Sequence, residues 1–170
     1  MSQMTAGSER ALEQLYSRYF AKLCGYAMHA FGVADPRDIV QDVFLKIIRN
    51  PKSFRAEYRF NTWIYTLVSN QCKNEYKIKI NRARLQEQIH FETQTFQQHT
   101  GLDAAGIQRQ LNIAWRELSE KEKSIYLLKY EHQFSTKEIS EILNIPEGSV
   151  KSGLFHTLRK ISQYLHAFTH

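Results

Sequence analysis

Apolar residues return at intervals of three and four through most of this chain, and that period commits it to helices. From Ala11 to Ala30, the residues Leu12, Leu15, Tyr16, Tyr19, Leu23, Tyr26 and Ala27 keep to one side of a helix, the pattern of a segment that buries a single face. Gly32 follows as the expected C-cap. A second helix is expected to open on Asp35 as N-cap, with Pro36 in its first turn and Asp38 at the third position, so that acidic oxygens meet free amides and the positive dipole end. Its stripe is Ile39, Val40, Val43, Phe44, Ile47 and Ile48, and Asn50-Pro51 ends it. A third helix runs from Phe60 through Ile64, Leu67, Val68 and Cys72 to about Tyr76. With 7 Gly and 3 Pro in 170 residues, turn formers are too few for a β-sandwich. The expected fold class is all-α.

Residues 86–106 break the period. Rich in Gln, with Thr, His and two Gly, they read as a flexible linker between two small helical domains, 8–85 and 107–168. The second domain restarts at Ile107, with Leu111, Ala114, Trp115 and Leu118 on one face. Ser119-Glu120-Lys121-Glu122 and Ser135-Thr136-Lys137-Glu138 both have the spacing that closes a capping box. They mark the starts of helices that turn Ile125 and Leu128, and then Ile139, Ile142 and Leu143, inward. After Asn144-Ile145-Pro146-Glu147-Gly148 comes a last helix with Val150, Leu154, Leu158, Ile161 and Leu165 on its buried side. Ser140 and Asn144 stand where a helix-turn-helix needs a small residue and, four later, one tolerant of left-handed backbone. The other face of the last helix carries Ser149, Lys151, Ser152, Phe155, His156, Arg159 and Lys160. That mixture of cations, hydroxyls and flat rings suits base edges and phosphates.

Charge sharpens the division. The chain holds 23 Lys and Arg against 17 Asp and Glu, a net charge of +6. Residues 1–86 hold 14 basic and 7 acidic side chains, residues 87–106 none and 3, and residues 107–170 hold 9 and 7. The positive field therefore belongs to the first half, most densely at Lys73, Lys77, Lys79, Arg82 and Arg84, with only Glu75 opposing them. Such a run is either a solvated helix face or a phosphate-holding surface.

Several classes are excluded. No stretch approaches the roughly 18 apolar residues of a membrane span, and Met1-Ser2-Gln3-Met4-Thr5 lacks a signal-peptide plan. The expected location is cytoplasmic, with Cys24 and Cys72 reduced. No Cys and His pairs stand at metal-ligand spacing, so neither a metal nor a cofactor is expected. A nuclease or recombinase needs a carboxylate cluster or an activated nucleophile, whereas the acids of the first half are scattered or sit at helix starts. The chain is not expected to be an enzyme.

In order and spacing, a set of motifs across most of the chain outside the linker resembles bacterial sigma factors of the extracytoplasmic-function (ECF) type. In the first half these are Leu15-Tyr16-Ser17-Arg18-Tyr19, the run from Asp38 to Lys46, Phe54-Arg55, and Phe60-Asn61-Thr62-Trp63-Ile64-Tyr65 followed by Asn70. In the second they are Leu118-Ser119-Glu120-Lys121, the run from Ser135 to Leu143, and Glu147-Gly148-Ser149-Val150-Lys151-Ser152. The resemblance implies that the first domain docks on core RNA polymerase and reads the minus-10 promoter element as it melts, while the second reads the minus-35 element as duplex. Polymerase would meet the exposed face of the second helix at Asp38, Gln41, Asp42, Leu45 and Lys46. Melting of the minus-10 element would need cations for the separated strand's backbone, which Arg55, Arg59, Lys73 and Lys77 can supply, and flat or hydrogen-bonding side chains for an unstacked base, for which Tyr58, Trp63, Asn70 and Asn74 are the candidates. Trp63 reads equally well as a core residue. Asn70 would line a pocket for a flipped-out base, and Ser149, Lys151, Ser152, Phe155, His156 and Arg159 would face minus-35 DNA. The resemblance also implies an anti-sigma factor as partner, with control coming from outside the chain. Two positions depart from the family: Gly153 stands where a basic residue is common, removing a possible contact, and His156 where arginine is frequent. The alternative is a helix-turn-helix regulator that acts without polymerase docking, but the first half offers no apparent effector pocket and carries the larger positive charge.

Overall fold

Gly32 ends the first helix as its position suggests, with φ +64 and its amide bonded to the Met28 carbonyl at 2.9 Å. A computed structural model describes residues 9–50, 53–54, 59–86 and 102–166. Within these residues every regular element is helical: α1 (Glu9–Phe31), α2 (Arg37–Arg49), α3 (Phe60–Gln86), α4 (Leu102–Arg116), α5 (Glu120–Tyr126), α6 (Thr136–Leu143) and α7 (Glu147–His166). The chain folds as two compact units.

In the first unit, α1, α2 and α3 pack on one another. Leu23, Tyr26, Ala27 and Ala30 of α1 meet Val40, Val43, Phe44 and Ile47 of α2 and Ile64, Tyr65, Val68 and Cys72 of α3, all of them buried. Each such aliphatic side chain contributes about 1.5–3 kcal/mol relative to exposure. Ser69 can lie among them at 0% exposure because the Tyr26 hydroxyl pairs with its Oγ at 3.0 Å; left unpaired, it would cost about 1–3 kcal/mol. The regular part of α2 begins one residue later than Asp35-Pro36 suggests, with Pro36 flanking it. Asp35 still does what a cap does, accepting the Arg37 amide at 3.2 Å. Paired hydrogen bonds from the Arg37 guanidinium hold its carboxyl down at about 2.

Three expectations about this unit change. Ile48, expected in the buried stripe of α2, is 45% exposed, and Tyr16 of α1 is 36% exposed. α3 does not stop near Tyr76 but continues to Gln86. Its last ten residues have no apolar period, yet Lys, Arg, Leu and Gln are all good helix formers.

In the second unit α4 starts at Leu102, five residues before the periodic pattern does, on a Leu-Asp-Ala-Ala run that also favours helix. Both capping boxes are present. The Ser119 and Ser135 side chains accept the amides of Glu122 and Glu138 at 3.3 and 3.2 Å, and each carboxylate reaches back to its serine amide at 2.9 Å. Past α5 the backbone takes a π-helical turn over Leu127–Glu131, and Gln133 adopts φ 59. That detour turns Phe134 inward, where it is 3% exposed.

The turn between α6 and α7 follows the helix-turn-helix logic. Asn144 has φ 54, the left-handed conformation that asparagine tolerates better than most residues. The Ser140 hydroxyl donates to the Ile145 carbonyl and the Ile145 amide to the Ser140 carbonyl at 3.1 Å. The buried seam of α7 is rotated from the one its leucines suggest: Leu158 is 44% exposed, whereas Val150 and Thr157 are fully buried. Thr157 can be buried because its hydroxyl donates to the Gly153 carbonyl at 2.8 Å. The seam thus runs through 150, 153 and 157, a helical spacing hidden in the sequence because glycine and threonine do not read as apolar.

Candidate nucleic-acid interface

At one hundred degrees per residue, Ile64, Tyr65, Val68 and Cys72 fix the inner face of α3, and positions 63, 70, 74 and 77 fall opposite them. Asn70, Asn74 and Lys77 are exposed, while Trp63 and Lys73 are half-buried beside them. The structure therefore brings five of the eight minus-10 candidates onto one face. Arg59 is exposed just before the helix, and Arg55 and Tyr58 lie outside the described residues. Trp63 has both characters left open by its sequence. Its ring packs against Phe54 and Phe60 at 5.2 and 5.6 Å between centroids, and part of the residue remains open to solvent.

On α2, Asp38, Gln41, Asp42, Leu45 and Lys46 are all exposed, neighbours at spacings of three and four along one side of the helix. Gln41 and Leu45 line an apolar groove between α1 and α2 together with Leu12, Tyr16, Phe44 and Ile48. Lys46 instead reaches across to donate to the Gln71 side chain of α3. Sequence reasoning assigned Leu12, Tyr16, Phe44 and Ile48 all to the core; of these Phe44 is buried, whereas Tyr16 and Ile48 are exposed in the groove. The signal for Ile48 was its spacing of three and seven from Leu45 and Gln41, a second seam on the outer side of α2.

On α7, Lys151, Ser152, Phe155, His156 and Arg159 are exposed, and Phe155 is 63% so. Ser149 is half-buried and accepts the Ser152 hydroxyl on its carbonyl at 3.3 Å. A long open groove runs between α7 and the start of α5, with Ser149, Ser152, His156 and Arg159 on one bank and Ser119 and Lys121 on the other. Lys121, exposed there, is a cation that sequence reasoning noted only as part of a capping box. Lys160, expected at phosphate or solvent, is instead held by Glu122 at 2.9 Å.

Glu122 thus closes the α5 capping box and ties α5 to α7 at once. Burial pushes its carboxyl up, but hydrogen bonds from Lys160 and Ser119 outweigh that and hold it below the usual carboxylate range. Its contribution to stability is complete above the unfolded carboxylate range, near 4.3, and is lost as pH falls through the folded value. Glu122→Gln is expected to cost about 1 kcal/mol at neutral pH and to flatten the acid limb of stability. Urea unfolding at a series of pH values checks this; an unchanged acid limb would contradict it.

The Cys24 thiol is pushed up by burial and then by the Asp35 carboxylate, against a smaller opposing pull from Arg37. It is held in the inert protonated form. Among the described residues no three His, Cys, Asp or Glu side chains gather as metal ligands. No helix among them is long and apolar enough to cross a membrane.

Residues 15–79 match the family described as Sigma-70 region 2, and residues 107–161 match Sigma-70, region 4. The chain is 27% identical over 165 residues to the ECF RNA polymerase sigma-E factor of Haemophilus influenzae, covering 91% of this chain and 87% of that protein. It is 26% identical to the ECF RNA polymerase sigma factor SigW of Bacillus subtilis, covering 89% and 87%. In fold it is similar to the sigma factor RpoE of Bartonella quintana, solved in complex with the anti-sigma factor NepR, with a TM-score of 0.75, 19% identity and coverage of 92% and 98%. It is also similar to CnrH, solved with the cytosolic domain of CnrY, with a TM-score of 0.69, 20% identity and coverage of 98% and 94%. Both are sigma-70 regions whose matches together cover most of the chain, and relatives named as ECF sigma factors align along most of its length, so the chain belongs to the sigma-70 family as a sigma factor of the ECF type, directing promoter-specific transcription.

Proposed function

We propose a division of labour within the chain. The first domain, 8–85, docks core RNA polymerase on the outer side of α2, with Asp38, Gln41, Asp42, Leu45 and Lys46 as contacts, and holds minus-10 DNA on α3 as it melts. Arg55, Arg59, Lys73 and Lys77 take the strand's phosphates, and Tyr58, Trp63, Asn70 and Asn74 take its unstacked bases. The second domain, 107–168, sets α7 in the major groove of minus-35 duplex, where Ser149, Lys151, Ser152, Phe155, His156 and Arg159 meet bases and phosphates. Residues 86–106 link the two. The chain contributes binding and positioning, the polymerase makes the bonds, and the work takes place in the cytoplasm, where both partners are.

An anti-sigma factor is the expected regulator, because the similar chains RpoE and CnrH were solved with NepR and with the cytosolic domain of CnrY. The observation that carries the minus-35 reading is the row on α7: five exposed side chains of DNA-binding type on the face opposite the seam, just after a left-handed Asn144. Lys151→Ala is expected to weaken transcription about tenfold from promoters with a minus-35 element and to leave promoters without that element nearly unchanged. Equal loss on both templates in reconstituted transcription would remove Lys151 from direct reading.

A further inference from the structure

Gly153 stands in the seam of α7, and the direction of its missing side chain changes what its presence means. A Cβ built there would lie 2.6 Å from Ile125 Cδ1, while the next nearest Ile125 atoms, Cγ1 and Cγ2, are at 3.9 and 4.0 Å. Position 153 therefore points at α5, on the floor of the groove whose α7 bank carries Ser152 and His156, and away from Lys151 and Phe155. Its glycine does not simply delete a cation from the reading face; it lets α7 lie closer to α5 than any side chain would.

Ile125 has little room to give way. It is 0% exposed, and with χ1 fixed by its β-branch Cδ1 can clear a Cβ at 153 only by turning about χ2 or by a shift of α7 itself. Two further ties bracket this close approach: the Glu122–Lys160 ion pair toward the middle of α7 and the Ser140–Ile145 bonds at the turn before it. Ser149, Ser152, His156 and Arg159 stand across the same groove from Ser119 and Lys121 of α5. The width of that groove decides whether base-facing groups on α7 and phosphate-facing groups on α5 can engage one duplex together.

We infer that Gly153 and Ile125 form a positioning pair that sets the seating of the recognition helix on α5, and through it the strength of minus-35 reading. The inference rests on the assignment of α7 to minus-35 DNA. It makes Gly153 a specificity-determining position that touches no base.

The test uses the full chain with core polymerase on two promoters that share a minus-10 element, one with the preferred minus-35 element and one with it scrambled. The ratio of transcript from the two is the readout. For Gly153→Ala the ratio is expected to fall about tenfold, with output from the scrambled promoter unchanged and helix content retained in circular dichroism. Ile125→Val alone is expected to keep the wild-type ratio. Gly153→Ala combined with Ile125→Val is expected to restore it, because removing Cδ1 leaves only atoms at van der Waals distance. Relief of the same clash would also restore a merely destabilised domain, so thermal unfolding of each variant is measured beside the ratio: a Gly153→Ala chain that loses the ratio only through unfolding overturns the inference. An unchanged ratio for Gly153→Ala, or no recovery in the double variant, overturns the inference while minus-35 reading stands. A wild-type chain that does not distinguish the two promoters overturns minus-35 reading itself, and the inference with it.

Discussion

Placing two carboxylates in the groove between α1 and α2, by Leu45→Glu together with Ile48→Glu, is expected to weaken association with core RNA polymerase at least a hundredfold and to leave the chain folded. Leu45 and Ile48 are 44% and 45% exposed, so the charges remain hydrated in the free protein and cost little stability. In a complex they would have to be desolvated against an apolar surface. A central apolar anchor is commonly worth 2 kcal/mol or more when lost, and two such losses exceed a hundredfold in affinity. Fluorescence anisotropy of labelled chain with core enzyme measures this, with circular dichroism as the check on folding. Undiminished affinity would move docking off this groove. The companion change Lys46→Ala is expected to matter far less, since Lys46 is bonded to Gln71 within its own unit.

Asn70→Ala is expected to cut open-complex formation about tenfold with no loss of affinity for core polymerase. Asn70 is exposed on the face of α3 opposite its core, so losing its amide is expected to cost the fold little. An unstacked base has hydrogen-bonding edges that it can meet only when out of the duplex, and losing such a contact costs about 1–3 kcal/mol. Permanganate reactivity of the melted strand at a fixed concentration of holoenzyme reads the effect. A parallel loss of polymerase binding would make Asn70 structural, and unchanged melting would take it out of the base pocket.

Legibility in the sequence followed how local the cause of each feature was. The caps at Ser119, Ser135 and Gly32 and the left-handed Asn144 were plain, because each is set by a few residues and a known hydrogen-bond geometry. Asn70, Asn74 and Lys77 were singled out by side-chain chemistry and by the family resemblance, and their shared face opposite Val68 and Cys72 became evident only with α3 running on past Tyr76. Features set by neighbours in space were not plain. Ile48 and Tyr16 have the chemistry of core residues, and only the way α1 and α2 meet leaves them open. The seam of α7 was misplaced onto Leu158 because Gly153 and Thr157 carry no apolar signal. What makes them seam residues is the approach of Ile125 and the hydrogen bond that lets a threonine be buried. For the same reason the modest charge of the second half looked like a missing contact at Gly153, where the structure finds a close approach of two helices.

The central claim is that this chain gives promoter specificity to core polymerase, and run-off transcription tests it most directly. Core enzyme and purified chain together on fragments of genomic DNA are expected to yield a discrete set of transcript starts, each requiring the chain and each lost with the Leu45→Glu and Ile48→Glu pair. No chain-dependent transcript, with sequence-specific binding of the free chain to duplex DNA in its place, would contradict the account and identify a regulator that works without polymerase docking.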